Sequence, residues 1–424
     1  MLHGVACGVV SIKSMHKPKI LIALFRLPYP VTDGTRYRIF NNLVSGLKKD
    51  YDIEFFVVQI KQYKQSDIDY IERHFGKVHL FYHSKIAYAL NGLRALVTGL
   101  PMQAQAFHFT DAQRWLDAHV DEYDAIYVHE IRMTEFFINY SDERKSRCVV
   151  DFNDAISLNY ETSLAHMNLP LRLFYRWEGR RVSRYESKVI NAFKHLLVIS
   201  ERDRHYLLEK AGLVNKYESG ELDFAVIHYG APVSDVVASR NKLQVFFMGS
   251  LDYAPNRNAV DWLVTALWPV LVQQIPQLEL LVIGGGKVEN AWKNIPGITF
   301  AGFVPNVFSA VESARLLLAP IAFAGGTPSK IIEAMGYGIP VLTTYEGAAG
   351  ISGVVHGVNI LTLPKHNVSQ WVETIVSFLN HTELQDQLAQ AGKELIKENY
   401  SLNSIEAAFR ARFAKLIKSN LTNQ

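Results

Sequence analysis

Short apolar runs alternate with helical patterns along the whole chain, and this alternation constrains the fold more than any other feature. The runs are rich in Val, Ile, Leu and Phe, as are strands buried on both faces of a parallel sheet. Seven occupy the first half: KILIALF, DIEFFVVQI, KVHLFYH, AIYVHE, RCVVDF, HLLVIS and FAVIHYG. Six follow: QVFFMGS, LELLVIGGG, ITFAGFV, RLLLAPIA, PVLTTY and NILTL. The pattern predicts an α/β fold of doubly wound parallel sheets.

The length of the chain predicts two domains. A chain of 424 residues is too long for one hydrophobic core. Gly, Pro, Ser and Asn interrupt the apolar rhythm between Gly230 and Lys242, which favours a boundary there. We therefore expect a flexible leader over 1–18, Rossmann-like domains over 19–232 and 233–400, and a C-terminal helix over 401–424 that packs back toward the first domain.

Composition argues against several classes of protein. The net charge is only +3, with acidic and basic residues nearly balanced, so we expect no nucleic-acid partner. Cys7 and Cys148 have no metal-ligand spacing, which fits reduced thiols in a cytoplasmic protein. No run of 18 apolar residues occurs, so we expect no transmembrane helix.

The segment GGTPSKIIEAMGYGIPVLTT, at 325–344, predicts a short helix with defined ends. Thr327 suits the N-cap and Pro328 the first helical position, while Gly338 suits the residue just past the end. The helix is therefore expected over about 328–337. Its N–H groups carry partial positive charge, which favours a bound anion at the start of the helix.

The residues around this helix start fit the diphosphate and ribose of a nucleotide. Gly325 and Gly326 let backbone N–H groups approach a ligand, with Ser329 and Lys330 in the first turn. Glu333, one turn later, can accept hydrogen bonds from vicinal hydroxyls. The alternative is an exposed lysine paired with Glu333 at i+3, which is a common surface arrangement.

The order of several further motifs resembles that of a known enzyme family. These are PYPVTDGTRYRIFNNL, YDAIYVHE, VVDFNDAIS, HLLVISERDRHYL, VIHYGAPVS, VFFMGSLDYAPNRNAVDWL, LELLVIGGG and ITFAGFVPNV. With the helix above, they make the chain similar over nearly its whole length to the retaining family-4 glycosyltransferases of the GT-B fold, in particular to bacterial transferases that build surface polysaccharides.

The resemblance implies a fold, a reaction and partners. Two Rossmann-like domains would face each other across a cleft. A UDP- or GDP-sugar would donate its sugar, with retention of anomeric configuration, to a glycan or lipid-linked acceptor. No metal or other cofactor is implied, because GT-B enzymes neutralise the diphosphate with helix ends and basic side chains. A cytoplasmic enzyme in peripheral contact with the inner membrane is expected.

In the first domain the resemblance assigns roles to residues at strand ends. Gly34 would let the backbone approach the donor phosphates, with Arg36 and Arg38 facing the acceptor. His129 would be a catalytic residue that hydrogen-bonds a sugar hydroxyl. Asp154 would cap a helix or contact the acceptor rather than bind a metal. The alternatives are a plain turn at Gly34 and a structural histidine.

In the second domain the resemblance is less complete. Gly249 lies in the loop that contacts the departing diphosphate, but the family's basic pair is absent there and only Arg257 is near. Phe303 and Val304 match the segment that holds the nucleobase, although an apolar strand end would look the same. Gly325 stands where the family usually has the first of two glutamates. Lys330 and Glu333 keep the roles proposed above and count with His129 as catalytic.

Cations recur every four residues in one further segment, at Arg172, Arg176, Arg180, Arg184 and Lys188. On a helix they would be neighbours and repel unless paired. Glu178 and Glu186 offer partners, so we expect a solvated face. The alternative is contact with anionic lipid headgroups or a lipid-diphosphate acceptor.

Three other functions compete with the transferase. A nucleotide-sugar epimerase shares the fold, and a noncatalytic sugar-nucleotide-binding protein would explain the departures at Gly325 and around Arg257. An NAD enzyme is suggested by LLVIGGGKVE, but its three glycines are contiguous and the third position of GxGxxG would be Glu289.

Overall fold

Strands form at all thirteen apolar runs, and every strand pair is parallel. The computed structural model describes residues 17–31, 34–322, 326–365 and 367–422. The expected leader over 1–18 lies almost entirely outside these ranges, and Gly325 lies outside them too. The strands build two separate sheets, one in each half of the chain.

The first sheet has seven strands: β1 Lys19–Leu24, β2 Asp52–Gln59, β3 Val78–Tyr82, β4 Ala125–His129, β5 Cys148–Asp151, β6 His195–Val198 and β7 Asp223–Val226. Their order is β3-β2-β1-β4-β5-β6-β7. The helices of this half are α1 Gly34–Tyr37, α2 Ser45–Leu47, α3 Gln65–His74, α4 Lys85–Leu93, α5 Ala95–Thr98, α6 Met102–Phe107, α7 Thr110–His119, α8 Glu130–Thr134, α9 Asp142–Ser146, α10 Ile156–Ser163, α11 Leu169–Ala192, α12 Glu201–Ala211 and α13 Val214–Glu218. A π-helical segment, Arg38–Val44, joins α1 to α2, and short 3₁₀ turns span Val120–Glu122 and Leu164–His166.

The second sheet has six strands: β8 Gln244–Met248, β9 Glu279–Ile283, β10 Ile298–Gly302, β11 Leu316–Ala319, β12 Val341–Thr344 and β13 Leu361–Leu363. Their order is β10-β9-β8-β11-β12-β13. The helices are α14 Ala254–Trp262, α15 Trp268–Gln274, α16 Val307–Val311, α17 Ser329–Gly336, α18 Tyr345–Ala348, α19 Val368–Asn380, α20 Thr382–Asn399 and α21 Leu402–Thr422. Leu263–Leu267 is π-helical and Asn290–Trp292 is a 3₁₀ turn.

Burial on both faces explains why the strands are continuous apolar runs. Along β1, Ile20 and Ile22 contribute to one hydrophobic core, while Leu21 and Ala23 contribute to another on the opposite face. Side chains alternate between the two faces of a strand, so a sheet covered by helices on both sides needs apolar residues at every position. The expected α/β architecture of two Rossmann-like halves is confirmed.

The topology marks one crevice in each half. Strand order reverses between β1 and β4 in the first sheet and between β8 and β11 in the second. Ligands of open parallel sheets bind outside the carboxyl ends of the strands at such reversals. The loops after these four strands are therefore where functional residues are expected.

The last helix packs on the first half of the chain. Ile405, Phe409 and Phe413 of α21 are buried in the core that also contains Ile20 and Leu43. The chain thus passes between the halves twice, once after β7 and once before α21. The two crossings lie side by side, since the N–H of residue 231 donates to the carbonyl of residue 400 at 2.7 Å.

Arg38 lies in the protein interior, so the expectation that it faces an acceptor is wrong. Its guanidinium pairs with Asp151 at 2.8 Å and donates to the carbonyls of Ile227 and His228 at 2.8 and 2.9 Å. The Tyr127 hydroxyl donates to the same Asp151 oxygen at 2.6 Å. Burial alone would raise the pKa of Asp151, but the Arg38 charge holds it below its ordinary value. This pair ties the segment after β1 to the ends of β5 and β7.

We predict that Arg38→Met lowers the free energy of unfolding by about 3–5 kcal/mol, because it leaves the Asp151 carboxylate buried without its counter-charge. Urea titration followed by circular dichroism measures the change. Arg114→Met, at an exposed site on α7, is the matched control and should change stability by less than about 0.5 kcal/mol. Equal losses in the two variants would contradict a structural role for the buried pair.

Candidate functional site

Lys330 is buried at the start of α17, although the sequence suggested an exposed helix end. Its side chain is 9% exposed, and Nζ donates a hydrogen bond to Asn256 Oδ1. Nζ also lies 4.4 Å from the centroid of the Phe247 ring. Burial lowers the pKa of Lys330 to about 7. The cation is therefore held at the positive end of a helix dipole, where a bound anion would stabilise it.

The alternative of a surface ion pair between Lys330 and Glu333 is wrong. No ion pair joins these two side chains among the residues that the structure describes. Glu333 is half-buried, and burial raises its pKa, while the Ser329 hydroxyl hydrogen-bonds to it and opposes that shift. The carboxyl also acts electrostatically on Tyr37 of the first half of the chain, whose pKa burial raises to about 12. Glu333 thus lies where the two halves approach each other.

Gly249, the first residue after β8, lies against the Lys330 side chain. Its φ is +146°, and a Cβ built there would lie 2.8 Å from Lys330 Nζ and 2.6 Å from Asn256 Nδ2. Both the backbone conformation and the close approach require glycine. The structure therefore brings together Gly249 and Lys330, which the sequence analysis had singled out from segments about eighty residues apart.

Asn256 is the residue of this loop that the sequence analysis missed. Its amide donates to the carbonyl of Ser250 at 2.8 Å, which orients the side-chain oxygen toward Lys330. The sequence analysis instead considered Arg257, the next residue on α14, as the cation near the departing diphosphate. Arg257 instead pairs with Glu289 and donates to the carbonyl of Leu251 at 3.2 Å. Its guanidinium is thus neutralised by a carboxylate rather than joined to the Lys330 cluster.

The start of α17 differs from the expected capping. Pro328 occupies the N-cap position, and no side chain caps the helix there. The Thr327 hydroxyl donates to the carbonyl of Gly350 at 2.8 Å instead, so the expected Thr327 cap is wrong. The helix ends as predicted, because Gly338 follows it with φ +71°. Ser329 is the first helical residue, and its hydroxyl interacts with Glu333.

Gly326 lies at the contact between the two halves of the chain. Its φ is +60°, and a Cβ there would lie 2.6 Å from Ile199 Cδ1 and 3.4 Å from Asp154 Cβ. These two residues follow β6 and β5, so the loop before α17 faces the carboxyl edge of the first sheet. Asp154 accepts hydrogen bonds from Asn153 and Asn159 at 3.1 and 2.6 Å. It therefore lies where the two halves of the chain meet.

His129 ends β4 in a buried site with charged groups of both signs nearby. The imidazole stacks on Phe25 with ring centroids 5.6 Å apart, and Nδ1 lies 3.3 Å from the Tyr127 hydroxyl. Nε2 makes no hydrogen bond to the described residues and lies 3.4 Å from Glu130 Oε1. Burial lowers the pKa of His129 to about 3, so the ring is neutral at physiological pH. In a neutral imidazole one ring nitrogen donates a hydrogen bond and the other accepts one.

The residue after His129 adopts an unusual backbone conformation. Glu130 has φ +57° and is buried, where its carboxylate pairs with Arg132 of α8. The Arg132 guanidinium lies 4.7 Å from the centroid of the Phe25 ring. Left-handed backbone at a non-glycine residue is strained and is concentrated at functional sites. The sequence analysis missed Arg132, because α8 is too short to show a periodic pattern.

The remaining predicted residues lie around the cleft with different exposures. Gly34 begins α1, and a Cβ there would lie 3.6 Å from the Tyr229 ring. Arg36 donates from Nε to the carbonyl of Leu27 at 3.0 Å and is half-buried. Phe303 is 79% exposed after β10, and Val304 is half-buried. An exposed aromatic ring at a strand end leaves a flat apolar surface free for a ligand.

The described residues provide neither a metal-binding cluster nor a membrane-spanning helix. No group of three or more His, Cys, Asp or Glu side chains is arranged to hold a metal ion there. None of the described helices combines the length and the apolar character that crossing a bilayer requires.

A known family model matches part of the second half of the chain. Residues 242–381 match the family model described as glycosyl transferases group 1. This segment contains Gly249, Asn256, Lys330 and Glu333. The family match therefore covers the cluster around the start of α17.

Two curated proteins are similar in sequence. An uncharacterized 44.6 kDa protein in the cps region of Klebsiella pneumoniae is 19% identical over 421 residues, which are 95% of this chain and 100% of that protein. An uncharacterized glycosyltransferase of Haemophilus influenzae is 25% identical over 147 residues, which are 33% of this chain. That alignment spans 41% of the Haemophilus protein.

Solved structures share the whole fold. HepE of Anabaena in complex with UDP aligns with a TM-score of 0.60 at 14% identity, covering 94% of this chain and 100% of that one. WaaG, a glycosyltransferase involved in lipopolysaccharide biosynthesis, aligns with a TM-score of 0.58 at 14% identity, covering 92% and 98%. The chain therefore has the GT-B fold of two Rossmann-like halves, and its glycosyl transferases group 1 segment supports a glycosyltransferase.

Proposed function

We propose that the protein is a retaining glycosyltransferase that moves a hexose from a UDP- or GDP-sugar to a glycan or lipid-linked acceptor in surface polysaccharide synthesis. The observation that carries the proposal is the buried Lys330 ammonium at the start of α17, which lies beside Gly249 and has the Asn256 amide oxygen rather than a carboxylate as its hydrogen-bond partner. A diphosphate at this position would supply the missing negative charge.

The similar proteins support a nucleotide-sugar donor and a role in surface polysaccharide synthesis. HepE, which shares the fold, was solved with UDP and with UDP-glucose. The Klebsiella relative is encoded in a cps region, and WaaG acts in lipopolysaccharide biosynthesis. Because the similarity is low, the donor and the acceptor of this chain belong to the proposal.

In the proposed reaction the protein stabilises charge that grows on the departing diphosphate. Lys330 and the free N–H groups of α17 act as preorganised donors, which cost no reorganisation when the glycosidic bond breaks. Glu333 accepts hydrogen bonds from the ribose hydroxyls. In this proposal Lys330 and the first-turn N–H groups of α17 neutralise the diphosphate in place of a metal ion, so the reaction is metal-independent. The departing diphosphate itself takes the proton from the acceptor hydroxyl as the new bond forms on the same face.

His129 is proposed to act on the sugar rather than on the nucleotide. It belongs to the first half of the chain, whereas Gly249, Lys330 and Glu333 belong to the second. Its Nε2 is buried and has no hydrogen bond to the described residues, and we propose that a hydroxyl of the bound sugar becomes its partner. Asp154 and Arg36 lie on the acceptor side in this arrangement. We further propose a cytoplasmic enzyme in peripheral contact with the membrane.

A transfer assay separates the proposed function from its two alternatives. Labelled UDP- and GDP-sugars are incubated with the protein, with and without membrane lipid or glycan extract. Labelled product that requires the extract supports a transferase. Isomerised sugar without any extract would identify an epimerase, and nucleotide binding with neither product would identify a noncatalytic binding protein.

We predict that Lys330→Met weakens UDP or GDP binding about 10- to 100-fold, because it removes a charge-assisted hydrogen bond to phosphate. In the wild type the free ammonium has its pKa lowered to about 7, and a bound diphosphate would raise it. Binding at pH 8 should therefore take up a proton, and affinity should fall as pH rises above 7. Calorimetry in two buffers with different ionisation enthalpies measures this uptake.

Glu333→Gln is the matched control for the lysine variant. It should keep the proton uptake and the affinity for inorganic diphosphate, and lose affinity only for ligands that carry a ribose. Lys330→Met should lose affinity for both ligands and show no proton uptake. Unchanged binding in Lys330→Met would remove the basis for placing the diphosphate at α17.

We predict that His129→Ala cuts the transfer rate at least tenfold and leaves UDP or GDP affinity within about twofold, since its contact is made mainly in the transition state. Because the ring is already neutral, the pH–rate profiles of the wild type and of His129→Ala should have the same shape near pH 6.5. Transfer kinetics and nucleotide calorimetry are compared on the same preparations. A parallel loss of rate and nucleotide affinity would contradict this assignment.

A further inference from the structure

The recurrent cations of α11 are exposed, as expected, and three of them also line a cavity. Arg176, Arg180 and Arg184 follow one another at one-turn spacing and form one wall of a cavity of about 510 Å³. Tyr160 of α10 and Tyr175 of α11 also line it, with ring centroids 4.8 Å apart. The cavity lies between α10, α11 and α12, away from the residues assigned above to the diphosphate.

The expected internal partners do not neutralise these three arginines. Glu178 is buried, accepts from the Met102 N–H at 2.5 Å and pairs with Arg181 at 3.3 Å. Glu186 is fully buried and accepts from Ser157. The solvated-face interpretation relied on these two carboxylates and is wrong in that respect.

The wall opposite the arginines adds no net negative charge. Lys210 of α12 faces the cavity and pairs with Glu161 at 3.0 Å. Across the described residues, Arg176, Arg180 and Arg184 make no ion pair or hydrogen bond. Like charges at i,i+4 repel, so the cavity keeps three cations close together at a cost that an anion would remove.

Exposed apolar side chains lie directly beside this basic cavity. Phe174 of α11 lines an adjoining cavity of about 300 Å³ together with Leu93 of α4, and Tyr160 belongs to the walls of both cavities. Leu96 and Val97 of α5 are 62% and 88% exposed. Apolar helix ends at a water-exposed surface are typical of contact with a membrane.

Arg181 holds these apolar helices against α11. Its guanidinium donates to the carbonyls of Ala95 and Leu100, at the two ends of α5 and its following turn. The same guanidinium stacks 4.4 Å above Trp177, which is 40% exposed. The basic cavity and the apolar surface are therefore parts of one rigidly connected face.

We propose that this face docks on a bilayer, with the phosphate of an anionic lipid bound by Arg176, Arg180 and Arg184 and with Trp177, Leu96 and Val97 in the interfacial layer. Guanidinium groups bind phosphate oxygens in pairs, and the two tyrosine hydroxyls can donate to the same group. Cations beside an apolar surface match the headgroup and acyl regions of a membrane leaflet. The inference does not depend on the proposed transferase reaction.

Vesicle binding tests the inference with the full-length protein and no sugar donor. Sedimentation is measured with phosphatidylcholine vesicles and with vesicles that also contain phosphatidylglycerol. We expect binding only to the anionic vesicles. The triple variant Arg176→Gln, Arg180→Gln, Arg184→Gln should bind them on the order of 100-fold more weakly, as expected for three cations near a charged bilayer. Thermal unfolding verifies that the variant is folded.

The matched control removes three cations from other exposed sites of the same half: Arg73→Gln, Lys77→Gln, Arg114→Gln. It should lose less than about fivefold, because distant surface charges are screened. If the two triple variants lose the same affinity for anionic vesicles, binding depends on net charge, and the proposed phosphate site at the three arginines is overturned.

Two further measurements separate the lipid from other sources of phosphate. Trp177 fluorescence, obtained as the difference between wild type and Trp177→Phe, should shift to the blue on anionic vesicles as the ring leaves water. Leu96→Ser with Val97→Ser should weaken vesicle binding without changing the affinity for inorganic phosphate. If inorganic phosphate binds through the three arginines while vesicles do not, the ligand is a soluble phosphate and the docking proposal is overturned.

Discussion

Parallel strand pairing is the constraint on which the rest of this structure depends. Each crossover makes the next strand run in the same direction as the last. The carboxyl ends of all strands in one half therefore lie on one side of the sheet. The loops after β4, β5 and β6 therefore share an edge in the first half, and those after β8 and β11 share one in the second. The contact of Gly326 with Asp154 and Ile199 brings these two edges face to face.

Two buried cations show how differently the protein uses the same kind of charge. Arg38 is fully buried, but its guanidinium pairs with Asp151 and donates to two backbone carbonyls, so it acts as part of the framework. Lys330 has an amide oxygen and an aromatic ring in place of an acid, and burial lowers its pKa to about 7. A buried charge without a counter-charge is costly unless a ligand completes it. The two cations thus differ in their partners rather than in their burial.

The arginines of α11 are a third case, in which cations are exposed but concentrated. Exposed charges separated by water cost little, whereas three at one-turn spacing around a cavity repel and favour an anion. Their position beside Leu96, Val97 and Trp177 gives the first half of the chain a face that combines positive charge with apolar surface. The cluster around Lys330 and this face lie in different halves of the chain.

The amino-acid sequence determined all thirteen strands, the order of the elements and the end of α17 at Gly338, because strand burial and helix termination depend on neighbouring residues. It also singled out Gly249 and Lys330. Only the tertiary structure decided which partner each charged side chain meets. Arg38 pairs with a residue 113 positions away, and Lys330 with one 74 positions away. The expected roles of Thr327 and Arg257 were wrong, and Asn256 was missed, for the same reason. A partner that folding brings close leaves no periodic or local signal in the sequence.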